Sequence, residues 1–218
     1  GTGGDVDLHC REPLPAGQRL AIAVEDQTRE IDLPLIGAFQ ADNVLCAIAL
    51  ILASGEPPDA VLAAAEKLTV VTGRLQAVGG GVFVDYAHKP DALRAAIAAL
   101  RPYAKGQLIV LFGCGGDRDR GKRLQMGRIA HELADRVVVT DDNPRSEDPA
   151  AIRAEILRGC PDAVEIGERR KAIAKAIGWL GSGDLLLIAG KGHETGQEIA
   201  SVTHSFDDVA VARAVLKE

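Results

Sequence analysis

The sequence has few aromatic residues, no excess of basic charge and no long hydrophobic run. Phe, Trp and Tyr make up 3% of its 218 residues, which is too few to predict the stacking surfaces that bind single-stranded nucleic acid. The formal net charge of −6 argues against broad binding to nucleic acid or to anionic membranes. Because no run reaches the roughly 18 apolar residues of a membrane-spanning helix, we expect no membrane partner.

Cysteine and histidine motifs are also missing. The cysteines at positions 10, 46, 114 and 160 are far apart and form no C-x-x-C or zinc-ligand spacing. They predict reduced thiols in a cytoplasmic protein, with side chains that serve as small buried hydrophobic groups. No H-E-x-x-H or G-x-S-x-G motif is present, so the sequence predicts neither a metal site nor a serine nucleophile.

Apolar residues and glycine, by contrast, are plentiful. Hydrophobic residues make up 47% of the chain, enough to bury a core and to exclude a disordered protein. The 24 glycines follow no collagen-like repeat and therefore indicate many tight turns between secondary-structure elements. This composition is typical of an α/β protein.

The first region, residues 1–73, looks like the tail of a larger domain. Short runs separated by Pro, Gly and Asp predict a small antiparallel meander with strands at Val6–Cys10, Arg19–Glu25 and Glu30–Leu33. Two helices are predicted after it, at Gln40–Ala53 and Asp59–Leu68. The first of these is apolar nearly all round and is therefore predicted to be buried. These elements contain too little sheet for an independent domain.

The second region, residues 74–218, alternates apolar strands with helices. The predicted strands are Val82–Val84, Leu108–Phe112, Val137–Thr140, Val164–Ile166 and Leu185–Ala189, and the predicted helices are Pro90–Leu100, Leu124–Leu133, Pro149–Leu157, Arg169–Leu180 and Asp207–Leu216. This alternation predicts a doubly wound, Rossmann-like, mostly parallel sheet that is buried on both faces. Glu198–Thr203 is a candidate for a further edge strand.

Four of the five predicted strands end in loops rich in glycine and charged residues. These loops are 85–90, 113–123, 141–145 and 190–194. In a doubly wound sheet the ligand lies beyond the carboxyl ends of the strands, so this concentration of polar groups predicts a shared site at one edge. Gly190 would let the backbone approach a ligand closely there.

Two nucleotide-binding motifs are incomplete in these loops. Gly113-x-Gly115 begins like a dinucleotide fingerprint, but Arg118 occupies the position of its last glycine. Gly190-Lys191 resembles the end of a P-loop, yet Leu185 replaces the earlier glycine and Gly192 replaces the Ser or Thr. A stand-alone Rossmann-type module for a nucleotide or a regulatory ligand is therefore a weakly supported alternative.

The charged residues of the loops suit a zwitterion. Arg118 and Arg145 can bind a carboxylate through paired N–H donors, and Glu194 can accept hydrogen bonds from an ammonium group. Pro144 keeps Asn143 extended and so presents Asn143 and Arg145 on a stiff turn. An equally weighted alternative is a surface ion-pair network among Asp117, Arg118, Asp119, Arg120 and Asp142.

Four ordered segments are more specific than these single motifs. They are DYAHKPDAL (Asp85–Leu93), FGCGGDRDRGKR (Phe112–Arg123), VVVTDDNPR (Val137–Arg145) and AGKGHETGQ (Ala189–Gln197). They resemble the C-terminal part of the Mur ligase family, in particular its MurE group, and GAFQADN (Gly37–Asn43) with Gly73-Arg74 is similar to the end of the central domain. The resemblance implies that residues 1–73 are the C-terminal part of the central ATPase domain and residues 74–218 the amino-acid-binding domain.

The MurE group adds the third amino acid to UDP-MurNAc-L-Ala-D-Glu in peptidoglycan synthesis, through an acyl phosphate made with ATP and attacked by the amine of the amino acid. DNPR marks members that add meso-diaminopimelate, whereas lysine-adding members depart from it at the arginine. The resemblance implies that meso-diaminopimelate is bound by Arg118, Asp142, Asn143, Pro144, Arg145, Gly190 and Glu194. It also implies that Asn43, Arg74, Asp85 and His88 lie near ATP or at a hinge, and that the protein is a cytoplasmic monomer.

The chain departs from the family pattern in two residues and in length. Gln40 stands where the family usually has Asn, and Gln76 where it usually has Glu. We expect the chain to be a fragment, because it contains no P-loop, no UDP-binding domain and no carboxylated lysine. ATP and Mg²⁺ would then be held mostly by the missing part, and the chain alone would be inactive. A lysine-adding MurE, MurF or folylpolyglutamate synthase type of ligase is an alternative.

Overall fold

The computed structural model describes residues 6–24 and 27–217, which divide into two compact units. The division falls between Val70 and Val71, three residues before the boundary predicted from the sequence. Each unit has a core of its own, and each is described by itself.

The first unit is an antiparallel meander with two helices. The strands are β1 (Val6–Leu14), β2 (Gly17–Val24) and β3 (Gln27–Leu33), and the helices are α1 (Ala38–Ala53) and α2 (Pro58–Ala65). The order β1-β2-β3 with antiparallel pairing agrees with the predicted meander. Glu25, the last residue of one predicted strand, lies outside the described residues.

The prediction that helix α1 is buried all round was wrong. The buried residues of α1 are Ala41, Val44, Leu45 and Ile48, which recur at the three- and four-residue spacing of one helix face. Leu50 is 74% exposed and Ile51 is 44% exposed. Because the core of this unit covers one face of α1, the apolar residues on the other face have nothing described to pack against.

The second unit alternates strands and helices. Its elements are β4 (Gln76–Gly79), β5 (Val82–Asp85), α3 (Pro90–Leu100), β6 (Leu108–Phe112), α4 (Gly121–Leu133), β7 (Arg136–Val139), α5 (Pro149–Leu157), β8 (Val164–Glu165), α6 (Arg169–Ile177), β9 (Leu185–Ala189), β10 (Gly196–Ile199), β11 (Val202–Ser205) and α7 (Asp208–Val215). None of the helices described in either unit is long and apolar enough to cross a membrane.

Six strands form one sheet in the order β4-β5-β9-β6-β7-β8. All neighbours are parallel except β4 and β5, so the predicted doubly wound, mostly parallel fold is confirmed. The central strands are continuous apolar runs with no exposed surface at Val84, Ile109 or Ile188. Strand β9 lies between β5 and β6, and this insertion makes the loops after β5, β9, β6 and β7 neighbours at the carboxyl edge of the sheet.

The strands differ from the sequence-based expectations at three places. Strand β4 was not predicted, because alternating short residues and glycines carry little strand pattern. Strand β8 is two residues long and exposed, unlike a buried parallel strand. The candidate edge strand Glu198–Thr203 is instead a hairpin, β10–β11, which forms a sheet of its own. Its turn residues Ala200 and Ser201 have φ angles of 48° and 62°, a conformation that Asn-Gly signals far more clearly than Ala-Ser.

Candidate functional site

The four loops at the carboxyl edge of the sheet surround an open cavity of about 820 Å³. It is lined by the loops after β5, β6, β7 and β9 and by the starts of helices α3 and α4. The structure brings together in this cavity six of the residues singled out for the amino-acid site, namely Arg118, Asp142, Asn143, Arg145, Gly190 and Glu194. His88 lines the same cavity.

Pro144 does not line the cavity but supports it from behind. It is buried, and its carbonyl group lies so close to the Cα of Gly116 that an added Cβ at Gly116 would overlap it. The Gly116 N–H also donates to the Asn143 carbonyl at 2.9 Å. The two loops are therefore in backbone contact, which only a glycine at position 116 permits.

Gly190 lines the cavity and also has a structural role that the sequence did not predict. Its φ angle is +115°, and a Cβ at this position would lie 2.6 Å from Oδ2 of Asp142. Glycine is therefore required for the turn out of β9 and for the close approach of the Asp142 side chain. The backbone at Gly190 makes room for a carboxylate of the protein.

The two guanidinium groups differ in their partners. Arg145 has a φ angle of +53°; its Nε lies 3.1 Å from an oxygen of Glu198, and its Nη1 donates to the Gly116 carbonyl at 2.8 Å. Arg118 is exposed, and the hydrogen bond described for its side chain goes to the neighbouring Asp117 carbonyl at 3.0 Å. Arg118 thus has donors available to a ligand, and Arg145 is held in a fixed direction.

The alternative ion-pair network is not formed by the described residues. Ser146 donates to Asp117 from its hydroxyl at 2.7 Å and from its N–H at 3.1 Å, and these bonds hold the pKa of Asp117 below its ordinary value. Asp119 accepts from the N–H of Gly121 at 2.8 Å. Arg120 pairs with Glu155 on α5, which is not a member of that network.

Asn143, Lys191 and Glu194 form a polar network on one wall of the cavity, in which Asn143 and Lys191 are buried and Glu194 is half-buried. The amide oxygen of Asn143 accepts from the Lys191 ammonium at 2.9 Å and from the Glu198 N–H at 3.0 Å. The amide nitrogen of Asn143 donates to Oε2 of Glu194 at 2.9 Å, and Lys191 donates to the same oxygen at 3.1 Å. Sequence reasoning missed Lys191, which it considered only as a P-loop lysine.

The charges that line the cavity are balanced. The four basic residues are Lys89, Arg118, Lys122 and Arg145, and the four acidic residues are Asp91, Asp119, Asp142 and Glu194. Asp142 is 8% exposed, and no hydrogen bond to its carboxylate is found among the described residues. The cavity therefore offers both guanidinium and carboxylate groups, which is the complement of a zwitterion.

Arg123, a buried arginine that sequence reasoning did not single out, holds the loops of the cavity in place. Arg123 on α4 has no exposed surface; it pairs with Glu147 at 2.8 Å and with Glu155 at 3.0 Å, and it donates to the Gly115 carbonyl at 3.2 Å. Hydrogen bonds from Arg123, with one from the Asp117 N–H, lower the pKa of Glu147 to about 2. The available signal was the position of Arg123, which shares the buried face of α4 with Met126, Gly127 and Ala130.

The residues expected near ATP or at a hinge fall into two groups. Arg74 lies 5.0 Å from the centre of the Tyr86 ring, which also contacts the rings of His88 at 4.4 Å and His193 at 4.9 Å. Asp85 is buried at the end of β5 and accepts from the Leu75 N–H at 2.7 Å. Burial raises the pKa of Asp85, and the backbone hydrogen bonds and Arg74 partly oppose this effect.

Asn43 belongs to the first unit, where it is exposed on helix α1. The departure at Gln76 has a structural role in the second unit, since its side-chain oxygen accepts from the Gly73 N–H at 3.0 Å. Among residues 6–24 and 27–217, no group of three or more His, Cys, Asp or Glu is placed to hold a metal ion.

The expectation of buried cysteines holds for two of the four. Cys114 and Cys160 are buried, whereas Cys10 and Cys46 are exposed, because they lie on the outer sides of β1 and α1. Cys114 lines the cavity, but burial raises the pKa of its thiol to about 12. Such a thiol is a poor nucleophile at neutral pH.

Fold and site together define a doubly wound α/β domain with a mixed-charge ligand site at its strand ends. A family model described as "Mur ligase, glutamate ligase domain" matches residues 73–192. The match covers more than half of the chain, and the protein therefore belongs to the Mur ligase family.

Individual relatives give a more detailed comparison. The chain is 54% identical, over 213 residues, to the UDP-N-acetylmuramoyl-L-alanyl-D-glutamate–2,6-diaminopimelate ligase of Caulobacter vibrioides. The aligned region covers 95% of this chain and 44% of that protein. It is 35% identical to a solved structure of a ligase with the same name, with a TM-score of 0.74 and coverage of 100% of this chain and 46% of that one. The chain thus spans less than half the length of these relatives.

A more distant solved structure shares the fold. The folylpolyglutamate synthase of Mycobacterium tuberculosis, solved with ADP and AMPPCP, is 23% identical to the chain, with a TM-score of 0.70. At this identity the likeness concerns the fold alone.

Proposed function

We propose that the chain is the amino-acid-binding part of an ATP-dependent ligase that adds meso-diaminopimelate to UDP-MurNAc-L-Ala-D-Glu. The observation that carries the proposal is the meeting of Arg118, Arg145, Asp142 and Glu194 in one cavity. Two guanidinium groups suit carboxylates, and two carboxylates suit ammonium groups. The name shared by relatives 54% identical to the chain supports the same conclusion.

The charge balance of the cavity favours this substrate over lysine. Meso-diaminopimelate carries a carboxylate and an ammonium at each end, whereas lysine lacks one of the carboxylates. With lysine bound, the Arg145 donors that Glu198 and Gly116 do not occupy would face no substrate carboxylate, and donors left without a partner in a closed site are costly. The balanced lining also suits a zwitterion better than a polyanionic dinucleotide, which would favour a positively charged site.

The task of this part of the ligase is delivery of the amine. An acyl phosphate has a good leaving group, so the attack of the amine needs no protein nucleophile, and catalysis depends on position and on charge neutralisation. The groups that grip one end of the amino acid leave the amine at its other end free to react. We assign no catalytic residue within this chain.

The part played by this chain in nucleotide binding is limited. Tyr86 and the neighbouring Arg74, His88 and His193 form an aromatic and cationic cluster, which suits contacts to a nucleotide. The described residues offer no cluster of acids for Mg²⁺, so we attribute metal binding to the part of the ligase outside this chain. We expect the complete protein to act as a cytoplasmic monomer.

The proposal is tested by ligation assays on the full-length ligase that contains this chain. Product formation from UDP-MurNAc-L-Ala-D-Glu is measured with meso-diaminopimelate, L-lysine and L-glutamate, each with and without ATP. We expect ATP-dependent product with meso-diaminopimelate and a kcat/KM at least about 100-fold lower with lysine, because of the mismatched charge. Equal or greater activity with lysine or glutamate would overturn the assignment in favour of the other ligase types.

A further inference from the structure

Lys191 is a buried cation next to the candidate site. It follows Gly190 directly after strand β9 and has no exposed surface. Removing a lysine ammonium from water is costly unless hydrogen bonds and an opposite charge compensate. Its two acceptors are Oδ1 of Asn143 at 2.9 Å and Oε2 of Glu194 at 3.1 Å, so its charge is directed wholly at two residues that line the cavity.

Lys191 fixes the orientation of the Asn143 amide. Oδ1 of Asn143 accepts two donors, Lys191 Nζ and the Glu198 N–H. A flipped amide would place its NH₂ group against both of these donors, so only one orientation is compatible with them. In that orientation Nδ2 points to Glu194, to which it donates at 2.9 Å.

The same network divides the two oxygens of Glu194 between protein and cavity. Oε2 accepts from both Asn143 and Lys191, and the Glu194 N–H donates to the Lys191 carbonyl at 2.9 Å, which fixes the turn. Oε1 has no hydrogen-bond partner among the described residues, and Glu194 lines the cavity. One oxygen is anchored and the other is available to a ligand.

We propose that Lys191 is a positioning residue that, with Asn143, holds the carboxylate of Glu194 so that Oε1 faces the ammonium group of the amino-acid substrate. This inference rests on the proposed function, since it assigns a substrate group to Glu194. Without Lys191, the orientation of the Asn143 amide depends on the Glu198 N–H alone and Oε2 of Glu194 keeps only its bond from Asn143. Both side chains are then less ordered, and the ammonium must order them when it binds. The result is weaker binding of the amino acid with unchanged binding of ATP.

The test is a double-mutant cycle in the full-length ligase that contains this chain. The variants are Lys191→Met, Glu194→Gln and the double variant, with Lys191→Arg as the conservative variant and Lys171→Met, an exposed lysine on α6, as the control. KM and kcat are measured for meso-diaminopimelate and for ATP. Lys191→Met keeps the side-chain length, and Lys191→Gln replaces it in the cycle if the methionine variant does not fold.

We expect Lys191→Met to raise KM for meso-diaminopimelate about tenfold, as for the loss of one charged hydrogen bond, with KM for ATP unchanged. In the Glu194→Gln background the same substitution should change KM less than about twofold, because Lys191 acts through Glu194. Lys191→Arg should restore part of the affinity, and Lys171→Met should match the unmodified ligase.

The inference is overturned if KM for the amino acid does not change, if KM for ATP rises in parallel, or if the full effect persists in the Glu194→Gln background. A failure of the proposed function itself would give a different experimental result. In that case the unmodified ligase would show no preference for meso-diaminopimelate, whatever residue stands at position 191.

Discussion

Arg123 and its two acidic partners brace the loop that carries Arg118. The guanidinium is fully buried and paired with Glu147 and Glu155, and a third contact reaches the Gly115 carbonyl. A buried ion pair of this kind adds little net stability but makes the loss of one partner costly. The position of the cavity wall thus depends on two carboxylates that do not themselves line the cavity.

Glu147 makes the stability of the protein depend on pH in the acid range. The pKa of Glu147 is about 2 in the folded protein against an ordinary value of 4.5. As the pH falls, Glu147 is therefore protonated in the unfolded chain before it is protonated in the folded protein. Its contribution to stability is fully present above about pH 4.5 and is lost as the pH falls towards 2. We expect Glu147→Gln to lower the urea midpoint at neutral pH and to converge with the unmodified protein in strong acid.

Glu132→Gln is the matched control for this prediction, because Glu132 is exposed and lies 3.7 Å from Arg94 in a loose pair. Its urea midpoint should equal that of the unmodified protein throughout. A difference between Glu147→Gln and the unmodified protein that stays constant at every pH would contradict the assignment.

Arg169 and Asp208 form a second buried pair, which ties two helices to the site. Both side chains have no exposed surface, and two hydrogen bonds of 2.7 Å join them. Arg169 also donates to the Ala189 carbonyl at 3.0 Å, directly before Gly190. The pair therefore links the starts of α6 and α7 to the end of strand β9.

Removing one partner of this pair should destabilise the protein strongly. We expect Arg169→Met or Asp208→Asn to lower the free energy of unfolding by about 3–5 kcal/mol, because each leaves an uncompensated buried charge or donor. The double change to Met and Leu should recover part of the loss. Urea denaturation measures all three variants, and single variants within about 1 kcal/mol of the unmodified protein would contradict the account.

At the level of elements, the β10–β11 hairpin fastens the loop after β7. Gln197 donates to the Asp142 carbonyl at 2.7 Å, the Arg145 N–H donates to the Glu198 carbonyl at 3.0 Å, and the Ala200 N–H donates to the Arg145 carbonyl at 2.7 Å. These bonds hold Arg145 at its positive φ, which costs free energy in a residue with a side chain. The hairpin thus helps to fix the conformation of the loop that carries Asp142 and Arg145.

Gln197→Ala tests the contribution of the hairpin. The substitution leaves the Asp142 carbonyl without its buried donor, and we expect a loss of about 1–3 kcal/mol of stability together with a higher KM for the amino acid in the full-length ligase. Thr203→Ala changes an exposed residue on β11 and should do neither. If both variants behave alike, the hairpin does not position the loop.

The sequence predicts the elements that carry regular local patterns. Helices α3 and α5 begin at Pro90 and Pro149 as predicted, because proline is favoured in the first helical turn. The hairpin turn at Ala200-Ser201 and the positive φ of Arg145 were not predictable, because tertiary hydrogen bonds impose them on residues that do not favour them. Lys191 was missed for a similar reason, since its burial follows from Asn143 and Glu194, which are adjacent only in the folded chain.

At the level of the whole molecule, the grouping of the site follows from strand order. Loops up to about 100 residues apart in sequence meet because β9 inserts between β5 and β6, a feature that alternation of strands and helices does not specify. The sequence did predict that the strand ends share one edge. The assignment of residues 1–73 to the end of an ATPase domain stays a proposal, as does the role of Asn43 in the first unit.

The most direct test of the account is the KM for meso-diaminopimelate of Arg145→Ala in the full-length ligase, with the exposed Arg128→Ala as control. If Arg145 binds a substrate carboxylate, the substitution should raise this KM about 10- to 100-fold, as for the loss of a charged hydrogen bond. KM for ATP should not change, and the preference over lysine should fall. An unchanged KM and an undiminished preference for meso-diaminopimelate would contradict the account.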